Sequence, residues 1–221
     1  MKIYNITPES YCLSELYIEN ILSQKYCVFD LEATGLDFNK EYIIQIGAII
    51  IENQRIIENL VYSTLVKPPI EISPQIERLT GITNKAVGSA QPISKVMKSF
   101  RQFADNSILV AQCGFEFDYD LLNTECRRNN IALFTNQKLD TKVMYAAINN
   151  PSLNVTYSTN YLVDHYGIQT NDLKRHDALG DSMLIGRVLI NLLSDYRSKG
   201  LCNLSIQPEL IIKKFIPQQL Q

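Results

Sequence analysis

The sequence has five cysteines but no paired cysteine motif: Cys12, Cys27, Cys113, Cys126 and Cys202 are odd in number and scattered. That pattern excludes a CxxC-type zinc site and a disulfide framework, and it points to reduced thiols used as small hydrophobes. No apolar run reaches the roughly 18–20 residues needed to span a bilayer. The longest candidate, Ile43 to Ile51, is broken by Gln45 and Gly47 and suits a buried strand instead. The N-terminus, Met1 to Asn5, lacks the apolar core and small-residue cleavage site of a signal peptide, so the expected location is the cytoplasm. Excess positive charge is missing too, the net charge being −2. A protein that tracks phosphates with its own surface usually carries a basic face. An enzyme whose metal ions supply the charge at a scissile phosphate is exempt from that expectation. Internal repeats and low-complexity linkers are likewise absent.

What is present is an ordinary globular composition, 46% hydrophobic and 20% charged over 221 residues. That is enough chain for one well-buried core. Residues 1–24 read as an N-terminal helical extension, with Thr7 as N-cap, Pro8 at the first position and Leu13, Leu16, Tyr17, Ile21 and Leu22 as its apolar face. Tyr26 to Leu31 is a central strand. Tyr42 to Glu52 and Arg55 to Val66 form an antiparallel pair turned by Asn53-Gln54. Short helices and loops fill residues 73–88. A helix from Pro92 to Ala104 presents Ile93, Val96, Met97, Phe100 and Phe103 on one side. Strands follow at Ile108–Ala111 and Lys138–Asp140, with helices over 117–129, through Ala147, over Thr159–Tyr166 and over 177–196. Residues 199–221 read as a loosely packed tail after a domain at 25–198. Strands first, then helices interleaved with two more strands, give an α/β class with a mixed five-stranded sheet flanked by helices.

The chemistry sits in three short segments. In a strand, residues i and i+2 share a face, so Asp30 and Glu32 project together. Two carboxylates held side by side are costly unless a cation neutralises them, and hard oxygen ligands suit Mg²⁺ or Mn²⁺. A solvated strand end is the alternative. Ala33-Thr34-Gly35-Leu36 then breaks the strand, exposing amides, a hydroxyl and one apolar side chain that either wedges against a base or covers the core edge. Asp118 opens a helix at the carboxyl edge of the sheet, where open α/β sheets bind ligands. Taken alone it reads first as a first-turn Asp answering the helix dipole, and Glu116 and Asp120 stand nearby as rivals. His176 and Asp181 flank the start of the last helix, the His on a loop next to Lys174-Arg175. An imidazole there can take a proton from an attacking water. His165, near the end of a helix before Gly167, reads as a dipole partner or core residue.

In the order Asp-x-Glu, Phe-Asp, His-x-Ala-x-x-Asp, these segments resemble the DEDDh (DnaQ-like) 3′–5′ exonucleases. That family includes proofreading epsilon-type subunits, ribonuclease T and oligoribonuclease. The resemblance runs from about Tyr26 to Leu193 and rests on Phe29 to Asp37, Leu79 to Thr83, Leu139 to Thr141 and His176 to Asp181. It implies a ribonuclease H-like fold and two divalent ions, Mg²⁺ or Mn²⁺. Asp30, Glu32, Asp118 and Asp181 would be their ligands and His176 the general base. Thr34, Gly35 and Leu36 would contact the terminal nucleotide of a single-stranded 3′ end, and nucleoside 5′-monophosphates would be released. One departure stands out: relatives usually read Ala-His-Asn where this chain has Ala111-Gln112-Cys113, a change that bears on substrate placement more than on metal ligation. A second reading is a proofreading or processing module acting through a polymerase or other partner docked on the apolar residues of the termini, including Leu210, Ile211, Ile212, Phe215 and Ile216. A catalytically silent binder is a third, opposed by the retention of all five catalytic residue types.

Overall fold

A computed structural model describes residues 1–149 and 153–215 of the chain. In chain order the elements begin with strands β1 (Lys2–Tyr4), β2 (Ser10–Ser14), β3 (Leu16–Ile18), β4 (Tyr26–Ala33), β5 (Ile43–Glu52) and β6 (Arg55–Lys67). Helices α1 (Pro74–Thr80) and α2 (Asn84–Gly88), strand β7 (Gln91–Pro92) and helix α3 (Ile93–Phe103) come next. Then follow β8 (Ile108–Ala111), α4 (Asp118–Arg128), β9 (Lys138–Asp140), α5 (Thr141–Ile148), α6 (Thr159–Tyr166), α7 (Ala178–Ser198), β10 (Leu204–Ile206) and β11 (Leu210–Lys213).

The central sheet has the order β7-β6-β5-β4-β8-β9. The five expected strands are joined by a two-residue edge strand, β7, that pairs parallel with β6. β4 to β6 run antiparallel, while β8 and β9 extend the sheet in parallel. Asn53 and Gln54, at φ 52° and 60°, form the left-handed two-residue turn that matches the twist of the β5–β6 hairpin.

Alternation along β4 divides the core. Tyr26 and Val28 pack with Leu184, Ile185 and Val188 of α7 on one face. Cys27, Phe29 and Leu31 pack with Phe100 of α3 and Leu121 and Leu122 of α4 on the other. Asp30 and Glu32 continue the first row, so the strand's period of two sends both carboxylates toward α7.

The helix expected near the N-terminus is not formed. Thr7 closes a turn instead, its hydroxyl accepting from Ser10 N at 3.0 Å, and the chain continues as β2 and β3. The tail is not loose through residue 213 either. β11 pairs with β2 and β10 with β3, and Tyr11, Leu13, Ile18, Leu204, Ile206 and Ile212 are buried in the same core as α7. The apolar residues of both ends satisfy helical spacing and strand pairing alike, and the partner that decides lies at the other end of the chain. The part of the expected tail beyond residue 215, with Ile216, lies outside the described residues.

Candidate active site

Two residues that interrupt the apolar run of β5 dock the last helix onto the sheet. Gln45, opposite Glu32, donates from Nε2 to Asp177 Oδ1 (3.1 Å) and accepts at Oε1 from Ala178 N (3.0 Å). Gly47, opposite Asp30, has its carbonyl capped by the Ser182 hydroxyl at 2.9 Å. A Cβ at position 47 would lie 2.1 Å from the backbone carbon of Ala178, so only glycine lets α7 approach this closely. Asp177 caps α7, accepting from Gly180 N at 3.1 Å. One turn on, Asp181 turns back to the sheet and accepts from His176 N at 2.8 Å.

The result is a carboxylate cluster. One oxygen each from Asp30, Glu32 and Asp181 lies within 4.8 Å of the others. Burial and then the neighbouring charges of Asp118, Glu32 and Asp181 hold the Asp30 carboxyl well above the usual range, with Arg175 opposing. Burial, then Asp181, Asp177 and Asp118, push Glu32 up to about 8. Repulsion of this kind is what a divalent cation relieves, and three hard oxygen donors fit such an ion. Asp118, only 6% exposed, lines the same cleft but stands outside the tight trio. Burial lifts its carboxyl to about 7, Asp140 adds to the rise, and the amides of Asp118 itself and Leu31 counter it. Arg175 Nε lies 2.6 Å from Asp181 Oδ1, without hydrogen-bond alignment.

The cleft measures about 750 Å³, and Leu36, Gln112, Phe117, Asn160, His176 and Phe215 line it beside the acids. His176 adopts a left-handed backbone, φ 56°, a conformation that non-glycine residues keep only where the surroundings enforce it. Of the three expected nucleotide contacts, Leu36 alone presents its side chain to the cleft, at 55% exposure. The Thr34 hydroxyl is turned inward, donating to Glu41 Oε2 (2.5 Å) and accepting from Tyr42 N (2.9 Å). Gly35 packs against the same glutamate, since a Cβ there would lie 2.8 Å from Glu41 Cδ.

The rivals of Asp118 separate cleanly. Asp120 is exposed, and Glu116 lies 2.5 Å from the fully buried Lys142 ammonium. His165 is not among the cleft residues and sits between the rings of Tyr145 and Tyr166, at 5.1 and 4.8 Å between centroids. The departing Gln112-Cys113 pair belongs to the scaffold of the loop leading to Asp118. Gln112 donates to Tyr157 O (2.8 Å) and accepts from the Thr141 hydroxyl. The fully buried Asp140 accepts from the amides of Cys113 (3.2 Å), Phe115 (3.3 Å) and Lys142 (2.8 Å), which holds that loop in shape. Gln45, Gly47, Arg175, Asn160 and Phe215 were not legible as site residues. The only trace of the first two was the break they make in an apolar run.

A family model described as an exonuclease, RNase_T, matches residues 27–189. The epsilon subunit of DNA polymerase III from Aquifex aeolicus is 32% identical over 177 residues, covering 80% of this chain and 84% of that protein. The PolC-type DNA polymerase III of Caldanaerobacter subterraneus is 29% identical over 85% of this chain, which spans only 13% of that much longer protein. Among solved structures, the nuclease domain of 3′hExo, a DEDDh family member bound to rAMP, superposes with a TM-score of 0.69 at 19% identity, over 78% of this chain and 93% of that one. Exonuclease I of E. coli in complex with a dT13 oligonucleotide gives 0.66 at 16% identity, over 80% and 43%. At these identities the structural likeness speaks for the ribonuclease H-like fold, and the family match speaks for the enzyme class. Sequence and fold thus agree that the chain belongs to the RNase_T (DEDDh, DnaQ-like) family of 3′–5′ exonucleases, nucleases that hydrolyse phosphodiester bonds.

Proposed function

We propose that this exonuclease releases nucleoside 5′-monophosphates from the 3′ ends of single-stranded DNA or RNA with two divalent ions, Mg²⁺ or Mn²⁺. The observation that carries the reading is the convergence of Asp30, Glu32 and Asp181 at the floor of a cleft that His176 lines. Those three carboxylates hold the ions and Asp118 completes the acidic set. Bound there, the ions supply positive charge that stabilises the attacking and leaving oxygens of an in-line displacement.

His176 takes the proton of the attacking water as the new P–O bond forms and the bond to the 3′ oxygen breaks. Its loop is fixed by the bond from its own amide to Asp181, so base and ligand keep a constant separation. Leu36 packs against the terminal base. Thr34 and Gly35 act as the turn that presents Leu36, with Glu41 as their anchor. Strands in the complexes of E. coli Exonuclease I support a single-stranded substrate here.

Residues 25–198 carry the catalytic domain in this reading, with both ends of the chain as packed additions. Docking to a polymerase is the second reading, supported by the names of the DNA polymerase III relatives. Leu13, Leu204 and Ile212 are buried in the core, so the apolar surface the termini offer such a partner is Ile6, Tyr17, Leu201, Ile211 and Phe215. No helix among the described residues is long and apolar enough to cross a membrane.

The test is degradation of 5′-labelled and 3′-labelled oligonucleotides of DNA and RNA. Stepwise shortening from the 3′ end, abolished by EDTA and by Asp30→Ala, is expected. Activity that survives chelation or starts at the 5′ end refutes the reading.

A further inference from the structure

The segment just after the last described strand brings an aromatic side chain to the cleft. The β2–β11 ladder runs from Leu210 opposite Leu13 to Lys213 opposite Ser10. Lys214 N then donates to Glu9 O at 2.7 Å, and Phe215 N to Glu116 Oε2 at 2.7 Å. Glu116 is a rigid acceptor, because its other oxygen lies 2.5 Å from the ammonium of Lys142, a side chain with 0% exposure. The backbone of Phe215 is therefore tied to the Glu116–Lys142 ion pair, whose carboxylate lines the same cleft.

The side chain is left out. Phe215 is 47% exposed and lines the same cleft as Asp30, Glu32, Asp181 and Leu36. β11 buries Ile212 to 1% exposure and leaves Ile211 39% exposed away from the cleft, whereas Phe215, two residues past the strand, is the exposed apolar side chain of this segment that lines it. Holding a phenyl ring at the edge of a carboxylate-lined cleft forgoes apolar burial that a flat ligand laid on it would restore. The acids repel phosphates and Arg175 is already paired with Asp181, so bound cations and neutral contacts to bases are the remaining sources of affinity for a strand. Every nucleobase offers a π-face, and stacking on an aromatic residue is tolerant of sequence. Phe215 also lies outside the family-matched residues 27–189.

We infer that Phe215 is a stacking platform for a nucleobase of the single-stranded substrate, a binding residue held in place by the C-terminal strand that precedes it. The inference rests on the nucleic-acid reading above. It makes β11 part of the substrate site as well as of the core.

The test uses the full-length Asp30→Asn chain in Mg²⁺, so that bound DNA is not degraded. Single-stranded octanucleotides carry 2-aminopurine at the 3′ terminus or at one of the next three positions, and fluorescence reports stacking. The expected result is quenching at one position, lost with Phe215→Ala and Phe215→Leu and kept with Phe215→Trp. Affinity should fall about 5- to 100-fold with the first two variants. Quenching unchanged by Phe215→Ala, or lowered equally at all four positions, overturns the stacking role and leaves the nuclease reading standing. Failure of both the Asp30→Asn chain and the parent chain to bind any oligonucleotide overturns both.

Discussion

Arg175 sets its Nε 2.6 Å from Oδ1 of Asp181, so a guanidinium already leans on the carboxylate cluster that is read as the metal site. It also opposes the rise in the Asp30 carboxyl. The pair is partly exposed, at 37% for the Arg side chain, and an isolated pair so placed contributes little in water. Its effect here comes from facing two carboxylates, Asp181 and Asp30, at once. Replacing it with Arg175→Gln should lower the melting temperature of the EDTA-treated protein and enlarge the rise produced by Mg²⁺. Calorimetry with and without the ion checks this, and an unchanged metal-free midpoint would count against the role.

The cluster also sets a pH dependence. Glu32 rises from 4.5 to about 8 and Asp118 from 3.8 to about 7 on folding. A raised carboxyl keeps its proton longer in the folded state, so the stability it contributes is complete below the unfolded value and lost as pH climbs through the folded one. Metal-free protein should therefore lose stability between about pH 4 and pH 8. Mg²⁺ should flatten that slope by replacing protons with a cation. Urea midpoints across the range, with EDTA or Mg²⁺, measure it; a metal-free curve that rises toward pH 8 contradicts the account.

Gly47 tests how far the site depends on backbone contact. Gly47→Ala forces a methyl to within 2.1 Å of Ala178 backbone, so α7 must shift from β5. Overpacking of this kind costs about 1–3 kcal/mol. A displacement near 1 Å at Asp181 should lower kcat on the order of 10²-fold. Denaturation and rate measurements on one preparation test both parts, and full activity in a destabilised Gly47→Ala would separate the site from this contact.

His176 carries the proton transfer in the proposed reaction. His176→Ala should slow hydrolysis on the order of 10²–10⁴-fold. Its left-handed backbone, φ 56°, makes His176→Asn the better folding control, since Asn tolerates that region and carries no base. Both variants keep the amide that Asp181 accepts, so the melting shift produced by Mg²⁺ should persist in each. A rate within threefold of the parent chain removes His176 from the reaction.

Local patterning made much of this molecule readable. The apolar run of β4, the Asn53-Gln54 turn and the apolar side of α3 encode their elements within a few residues, and Asp30, Glu32, Asp118, His176 and Asp181 stand in short motifs on those elements. Thr34 was less legible: its hydroxyl looked free for a nucleotide, and only the fold brings Glu41 to it. Gln45 and Gly47 looked like flaws in a strand, although they seat the helix that carries Asp181.

The N-terminal segment marks the boundary. Leu13, Leu16 and Ile21 fit a helix face in isolation, yet Ser10–Ser14 is a strand because Leu210–Lys213 supplies its hydrogen-bonding partners. The sequence by itself determined the element types around β4 and α7 and the identities of the acidic residues, since those depend on periodicity and side-chain chemistry close along the chain. Tertiary structure alone decided that the two ends pair with each other, that β11 brings Phe215 to the cleft, and that Arg175 faces Asp181. Each of these is a contact between segments whose own patterns do not name their partner; burial and backbone hydrogen bonding select it only once the sheet and α7 are in place.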